Sequence, residues 1–197
     1  MDVEIIDTKE VYRGFFRLFK VLLRYRRYDG RMSREVTLEA LERGEGVAVI
    51  LYDPLRDHVG LVEQFRIGAH LREKKGWVIE LAAGSCQGRD DVKAVALKEV
   101  REETGWYPSV MEHVRTFYIS PSGTTERIHL FLGIFDSLIP PSATGVHEEE
   151  EDIRTLCLPF SQVMAMMNAG EINAASVILG MHWLEIHRPE LQQRFAK

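Results

Sequence analysis

Between Gly46 and Tyr52 the chain reads GVAVILY, an apolar run with no polar side chain to mark a wet face. A run this short fits a strand covered on both sides, because a strand facing water on one side would alternate. The turn DPLRD follows it, HVGLVEQFRIG (58–68) supplies a returning strand, and WVIELA (77–82) a third that runs into Gly84. There the period changes. Residues 90–104 predict a helix, with Asp90 and Asp91 where carboxylates favour a helix N-terminus. Strands are predicted at 110–119 and 128–135, a loop at 140–152, a last strand at 153–158, and closing helices at 161–170 and 174–186, divided by Gly170.

Ahead of this pattern, residues 3–43 have β character: Val3, Ile5 and Ile6, a long stretch over 15–28, an Asp29-Gly30 turn signal, and a return from Arg34. The expectation is an α+β protein, with a sheet packed between helices in residues 44–197 and a small antiparallel β domain in residues 1–43. The methionines Met164, Met166, Met167 and Met181 fall at helical positions and are read as core.

Composition narrows the function classes. The net charge is −5, against nonspecific nucleic-acid binding, which draws its affinity from Lys and Arg on phosphates. An anionic substrate would need a local attraction that the average surface does not supply. Apolar runs stay far below the roughly 20 residues that span a bilayer, and MDVEIIDTKE lacks a basic region followed by an apolar one, so no membrane anchorage is expected. Cys86 and Cys157 are too few and too far apart for a disulfide framework or a zinc site, and a reducing cytoplasm is the expected location. RYRRYDGR (24–31) mixes Arg and Tyr and has two readings, a phosphate contact or a solvated strand face.

The informative feature is acidic. On a helical wheel Glu99, Glu102 and Glu103 fall in the sector of Val92, Val95 and Ala96, while Lys93, Lys98 and Arg101 point elsewhere. Carboxylates that prolong an apolar stripe repel each other and lose hydration unless a cation compensates them. Glu99 and Glu103 lie one turn apart and can share a metal cluster; oxygen-only ligands favour a hard ion such as Mg²⁺. The plain alternative is a surface helix whose acids pair with Lys98 and Arg101. Far along the chain, the EEEED run (148–152) sits in a loop of the kind that closes a site and can deliver a general base to water.

The segment from Gly84 to Trp106 resembles the Nudix box, Gly-x5-Glu-x7-Arg-Glu-U-x-Glu-Glu-x-Gly-U with U a bulky apolar residue. Asp90 stands for its first Glu and Lys98 for its Arg. Lys keeps the charge but not the planar fork by which Arg orients a carboxylate. DVEIID, YRGFF, LERG, LVEQFRIGAH, SPSGTTER, EDIR and NAASVI extend the likeness over nearly the whole chain, towards the bacterial ADP-ribose pyrophosphatases. The resemblance implies an α/β/α sandwich with a mixed sheet, and a homodimer that exchanges its N-terminal β domains. It also implies Mg²⁺-dependent cleavage of ADP-ribose to AMP and ribose 5-phosphate, with Mn²⁺ able to substitute.

By the same resemblance Glu99, Glu103, Glu151 and the Ala83 carbonyl would hold the metal, Glu102 would assist, and Glu149 would be the base, with Glu148 and Glu150 as neighbouring alternatives. Arg66 and Glu80 would bind substrate, Arg66 over the adenine with Phe15 of the partner on its other face. Ser122 and Gly123 of SPSGTTER would bind substrate, and Glu126 of the same segment would reach the terminal ribose of the neighbouring subunit's substrate. Each has a bland alternative: Arg66 as one half of an ion pair, Phe15 as core, Glu126 as a solvated turn. Where relatives carry arginines before LERG, this chain has Thr37 and Leu38, leaving Arg34 to supply a phosphate contact. A GDP-mannose pyrophosphatase shares the box and the dimeric plan, and a silent nucleotide-sugar sensor is the rival from another class.

Overall fold

The computed structural model describes residues 2–86, 91–142 and 152–195. They form two compact units, one of residues up to 45 with 118–127, the other of 46–117 with 128–197.

In the first unit, β1 (Val3–Arg13), β2 (Arg17–Tyr25) and β3 (Val36–Glu42) form an antiparallel sheet in the order β1-β2-β3. Residues 118–127, distant in sequence, join it at β3: Leu41 N–H donates to Gly123 O at 2.8 Å, and Thr125 N–H returns to Leu41 O at 3.0 Å. None of the described residues of this unit is buried, although Val3, Ile5, Val11 and Tyr12 are large and apolar. The arginines of RYRRYDGR are committed to local acids and backbone: Arg24 to Glu35, Arg26 to Asp2 and Gly30 O, Arg31 to Asp29. The solvated-face reading accounts for that stretch.

The second unit is built on β4 (Glu45–Asp53), β5 (His58–Phe65), β6 (Trp77–Glu80), β7 (Ala82–Cys86), β8 (Val110–Tyr118), β9 (Arg127–Ile134) and β10 (Arg154–Pro159), in the order β10-β5-β4-β9-β8. Successive β4 side chains go to opposite faces. Ala48, Ile50 and Tyr52 join Leu61, Leu130 and Leu132 under α3 (Phe160–Asn168) and α4 (Ala175–Phe195), together with Val163, Met181 and Leu184. Val47, Val49 and Leu51 join Phe131 and Trp106 under α2 (Val92–Thr104) through Ala96 and Val100. Helices on both faces of a buried sheet explain why GVAVILY does not alternate. Met164, Met166 and Met167 pack against the first of these cores.

Three details depart from the sequence pattern. WVIELA is two strands: β4 and β5 pair only where Leu51–Asp53 face His58–Gly60, and then β6 takes β5 while β7 takes β4. HVGLVEQFRIG stops being a strand at Phe65, and Ile67–Glu73 forms α1, ended by Lys74 in the left-handed region. The last helix passes Pro189, although proline removes one helical N–H. Its continuation is anchored on both sides of the proline: Arg188 and Gln192 reach Asp57, and Leu191 is buried.

Asp53 ties the β4–β5 turn together at 1% exposure. It accepts from Leu55 N–H (2.9 Å), Arg56 N–H and guanidinium (3.2 and 3.0 Å), and the Ser137 N–H and hydroxyl (3.0 and 2.5 Å). Burial pushes its pKa up, but the Ser137 and Arg56 hydrogen bonds outweigh burial and hold it at about 2, below the ordinary 3.8. A depressed carboxylate contributes stability that is present above its unfolded pKa and lost as pH falls through the folded one. The contribution is about 2 kcal/mol. Urea unfolding should find Asp53→Asn less stable by that order near neutrality, with the gap closing as pH falls from about 4 towards about 2; a gap unchanged over that window would refute the assignment.

Candidate active site

The acidic helix forms for local reasons. Asp91 caps it, accepting from Lys93 N–H (3.0 Å) and Ala94 N–H (3.4 Å), and Gly105 ends it at φ 72°, where a side chain would be strained. Thr104 donates its hydroxyl to Val100 O at 2.6 Å and accepts from Trp106 N–H at 3.1 Å, turning the chain into the core.

The three glutamates are not equivalent. Glu103 is 4% exposed, and its carboxylate accepts from Ala83 N–H at 2.9 Å. Thr155 of β10 donates to the Glu103 carbonyl at 3.1 Å, so the C-terminal turn of α2 is held from two strands. Glu99 is half-buried against β7: a Cβ built on Gly84 would lie 2.1 Å from its carboxyl carbon. The glycine of the box is therefore needed for close approach. Glu102 stands at the edge, 3.0 Å from Lys98 Nζ, which is also 3.8 Å from Glu99. Lys98 thus reaches back to the acids instead of pointing away; an exposed pair of this kind is worth little to stability.

Gly84→Ala tests the close approach. The added methyl meets only the end of a flexible side chain, so the melting temperature should hold while Glu99 is displaced and kcat/KM falls roughly 10- to 100-fold, a loss of about 1.4–2.7 kcal/mol of transition-state stabilisation. Unchanged kinetics would show that the position of Glu99 is immaterial.

Ala83 lies on β7 beside these carboxylates, with its N–H already committed to Glu103. Glu149 and Glu151, like Glu148, Glu150 and Asp90, lie outside the described residues. Among the described residues, no three His, Cys, Asp or Glu side chains gather as a complete cation site. What is present is a partial donor set, all oxygen, on one helix face and the strand beside it. Its chemistry fits a hard divalent ion, not zinc.

Arg66 and Glu80 are brought together as an ion pair, Nε to Oε2 at 2.6 Å. The remaining substrate candidates belong to the first unit. Phe15, at the β1–β2 turn, is 91% exposed and edge-on to Phe16 at 4.9 Å, so it is not core. Arg43 lies over the Phe16 ring at 5.1 Å and pairs with Glu126 at 2.9 Å. Ser122 and Gly123 are in the segment that docks on β3. Arg43 had no role in the sequence reading, because an ion pair across so many residues leaves no periodic trace.

Residues 42–178 match the NUDIX domain. This chain belongs to the Nudix family. It is 35% identical to the ADP-ribose pyrophosphatase of Escherichia coli (strain K12) over 195 residues, which are 99% of this chain and 93% of that protein. It is 36% identical to the ADP-ribose pyrophosphatase of Haemophilus influenzae, over 100% of this chain and 92% of the relative. The GDP-mannose pyrophosphatase of Pectobacterium atrosepticum is 34% identical over 90% of this chain and 91% of its own. A crystal structure described as an ADP compounds hydrolase superposes with a TM-score of 0.70 at 18% identity, covering 94% of this chain and 95% of that one, a likeness of fold. The helix, its glycine and its buried glutamate are thus the Nudix box seen in three dimensions.

Proposed function

We propose that this Nudix protein hydrolyses the diphosphate of ADP-ribose to AMP and ribose 5-phosphate with Mg²⁺, for which Mn²⁺ can substitute. The observation that carries the reading is the placement of Glu99 and Glu103 against Gly84 and Ala83, in a chain alike to ADP-ribose pyrophosphatases over its full length. Glu99, Glu103, Glu151 and the Ala83 carbonyl would hold the metal, and Glu102, already tied to Lys98, would steady the cluster. When bound, the ion supplies charge neutralisation and polarisation of the diphosphate. A protein of net charge −5 then attracts an anion through its metal.

The chain's own residues do the rest. Glu149 takes the proton from the attacking water. Arg66, held by Glu80, presents a flat guanidinium to the adenine, and Phe15 of a second copy offers an exposed ring for its other face. Ser122 and Gly123 bind substrate, and Glu126, fixed by Arg43, reaches the substrate of the neighbouring subunit. A sheet with no buried residue and several exposed apolar ones is suited to be covered by a second copy, so the protein is a homodimer through its N-terminal domain, residues 1–43 in the sequence pattern. Nucleic acid is not a partner, given the net negative charge. No helix among the described residues is long and apolar enough to cross a membrane. With two cysteines, widely spaced in the sequence, a disulfide framework is not the expected source of stability, and a reducing cytoplasm belongs to the same reading.

The 34% identity to a GDP-mannose pyrophosphatase supports a second reading, turnover of that nucleotide sugar. Product analysis with Mg²⁺ and both substrates separates the two. Faster AMP release from ADP-ribose is expected; preferential turnover of GDP-mannose would reverse the order, and no turnover of either would leave a silent sensor.

A further inference from the structure

Gln64 is 5% exposed, and its carboxamide nitrogen is buried with no hydrogen-bond partner, the one side-chain nitrogen or oxygen in that state among the described residues. Native proteins rarely leave such a donor unpaired unless water, an ion or a ligand completes it.

Its surroundings indicate which. Gln64 lies on β5 opposite Val78, two residues from Val62, which faces Glu80 on one side and Thr155 on the other. Side chains two apart share a face of a strand, as do paired residues on neighbouring strands. Gly60, on the same face, meets the Trp106 ring, which marks this as the α2 side of the sheet. Thr155 on that side holds the Glu103 carbonyl. Gln64 therefore shares a sheet face with Glu80 and looks towards the layer of the box helix. Carboxylates accept but cannot donate, and so do the oxygens of a diphosphate. The neighbouring Arg66 is already spent on Glu80, leaving Gln64 as a neutral donor whose hydrogens are uncommitted.

We infer that Gln64 is a further substrate-positioning residue: its carboxamide N–H donates, directly or through one ordered water, to an anionic oxygen of the bound nucleoside diphosphate sugar. The inference rests on the proposed function, which supplies that anion. An amide suits the place because it waits buried without the desolvation cost of a cation and does not compete with a metal for the glutamates.

The test compares the full-length wild type with Gln64→Leu and Gln64→Glu. Binding of the non-hydrolysable methylene analogue of ADP-ribose is measured by calorimetry, beside steady-state kinetics and melting temperature. Gln64→Leu should melt no lower than wild type, since it removes an unpaired polar group, yet bind the analogue roughly tenfold more weakly. KM should rise to match, with kcat little changed, because the contact is made before and during the reaction. Gln64→Glu should bind more weakly still at about pH 8 and recover towards about pH 5, where a buried carboxyl regains a proton to donate. Wild-type affinity in a stably folded Gln64→Leu overturns the inference. If that variant does not fold, Gln64→Glu decides: affinity that fails to recover with acid overturns it equally. A wild type that neither binds the analogue nor turns over ADP-ribose overturns the functional reading and this inference together, whereas a competent wild type with indifferent variants removes Gln64 alone.

Discussion

Glu99→Gln should lower kcat for ADP-ribose on the order of 10³-fold without loss of fold. Gln keeps the size of the side chain and fits the space that Gly84 leaves open, so packing of α2 on β7 is preserved. What disappears is one negative charge of the partial donor set. Charge stabilisation by a bound metal is worth several kcal/mol at the transition state, and each tenfold in rate costs about 1.4 kcal/mol. Steady-state kinetics across a Mg²⁺ titration, with a thermal melt as control, should show reduced turnover even at saturating metal. A variant within tenfold of wild type would move the metal reading away from this helix.

The largest expected effect on stability lies at the end of the same box. Trp106 is 1% exposed; its ring lies 4.5 Å from that of Phe135, and its indole N–H donates to Ile139 O at 2.7 Å. A Cβ on Gly60 would be 2.7 Å from this ring, so the indole fills the place of a side chain on β5. Trp106→Ala should cost about 3–5 kcal/mol, lowering the melting temperature by roughly 6–20 °C for a chain of this size. Urea and thermal unfolding at one protein concentration would measure it. A fall of less than about 3 °C would mean that the cavity collapses and that the bulky residue closing the box is not a packing anchor.

The box helix was the most legible part of the chain. Its acidic N-terminus, its end at residue 104 and its glutamates on the apolar stripe are all local signals, with counterparts in the Asp91 side-chain hydrogen bonds, the left-handed Gly105 and the Glu103 contact to Ala83. Double-sided burial of GVAVILY was legible for the same reason. Long-range geometry was not. IGAHLRE buries none of its residues, so α1 has no apolar stripe to announce it. The helix through Pro189 depends on Asp57, far off in sequence. Lys98 looked misdirected on a wheel because a wheel has no side-chain length. Gln64 resembled any polar residue of a strand until its neighbours closed over it.

The docking of residues 118–127 on β3 bears on how the protein can be cut and how it is made. Leu41 exchanges backbone hydrogen bonds with Gly123 and Thr125, and the Thr125 hydroxyl donates to Glu42 at 2.9 Å. The N-terminal sheet is therefore not a detachable module. A deletion ending at residue 45 leaves the later segment without its strand, and a fragment of the first 45 residues lacks the segment that completes its edge. On the ribosome the β3 edge cannot receive its bridge at Leu41 until the chain has grown beyond residue 125. Contacts of such long sequence separation form late and slowly, so the first part of this protein to be synthesised is among the last to be finished.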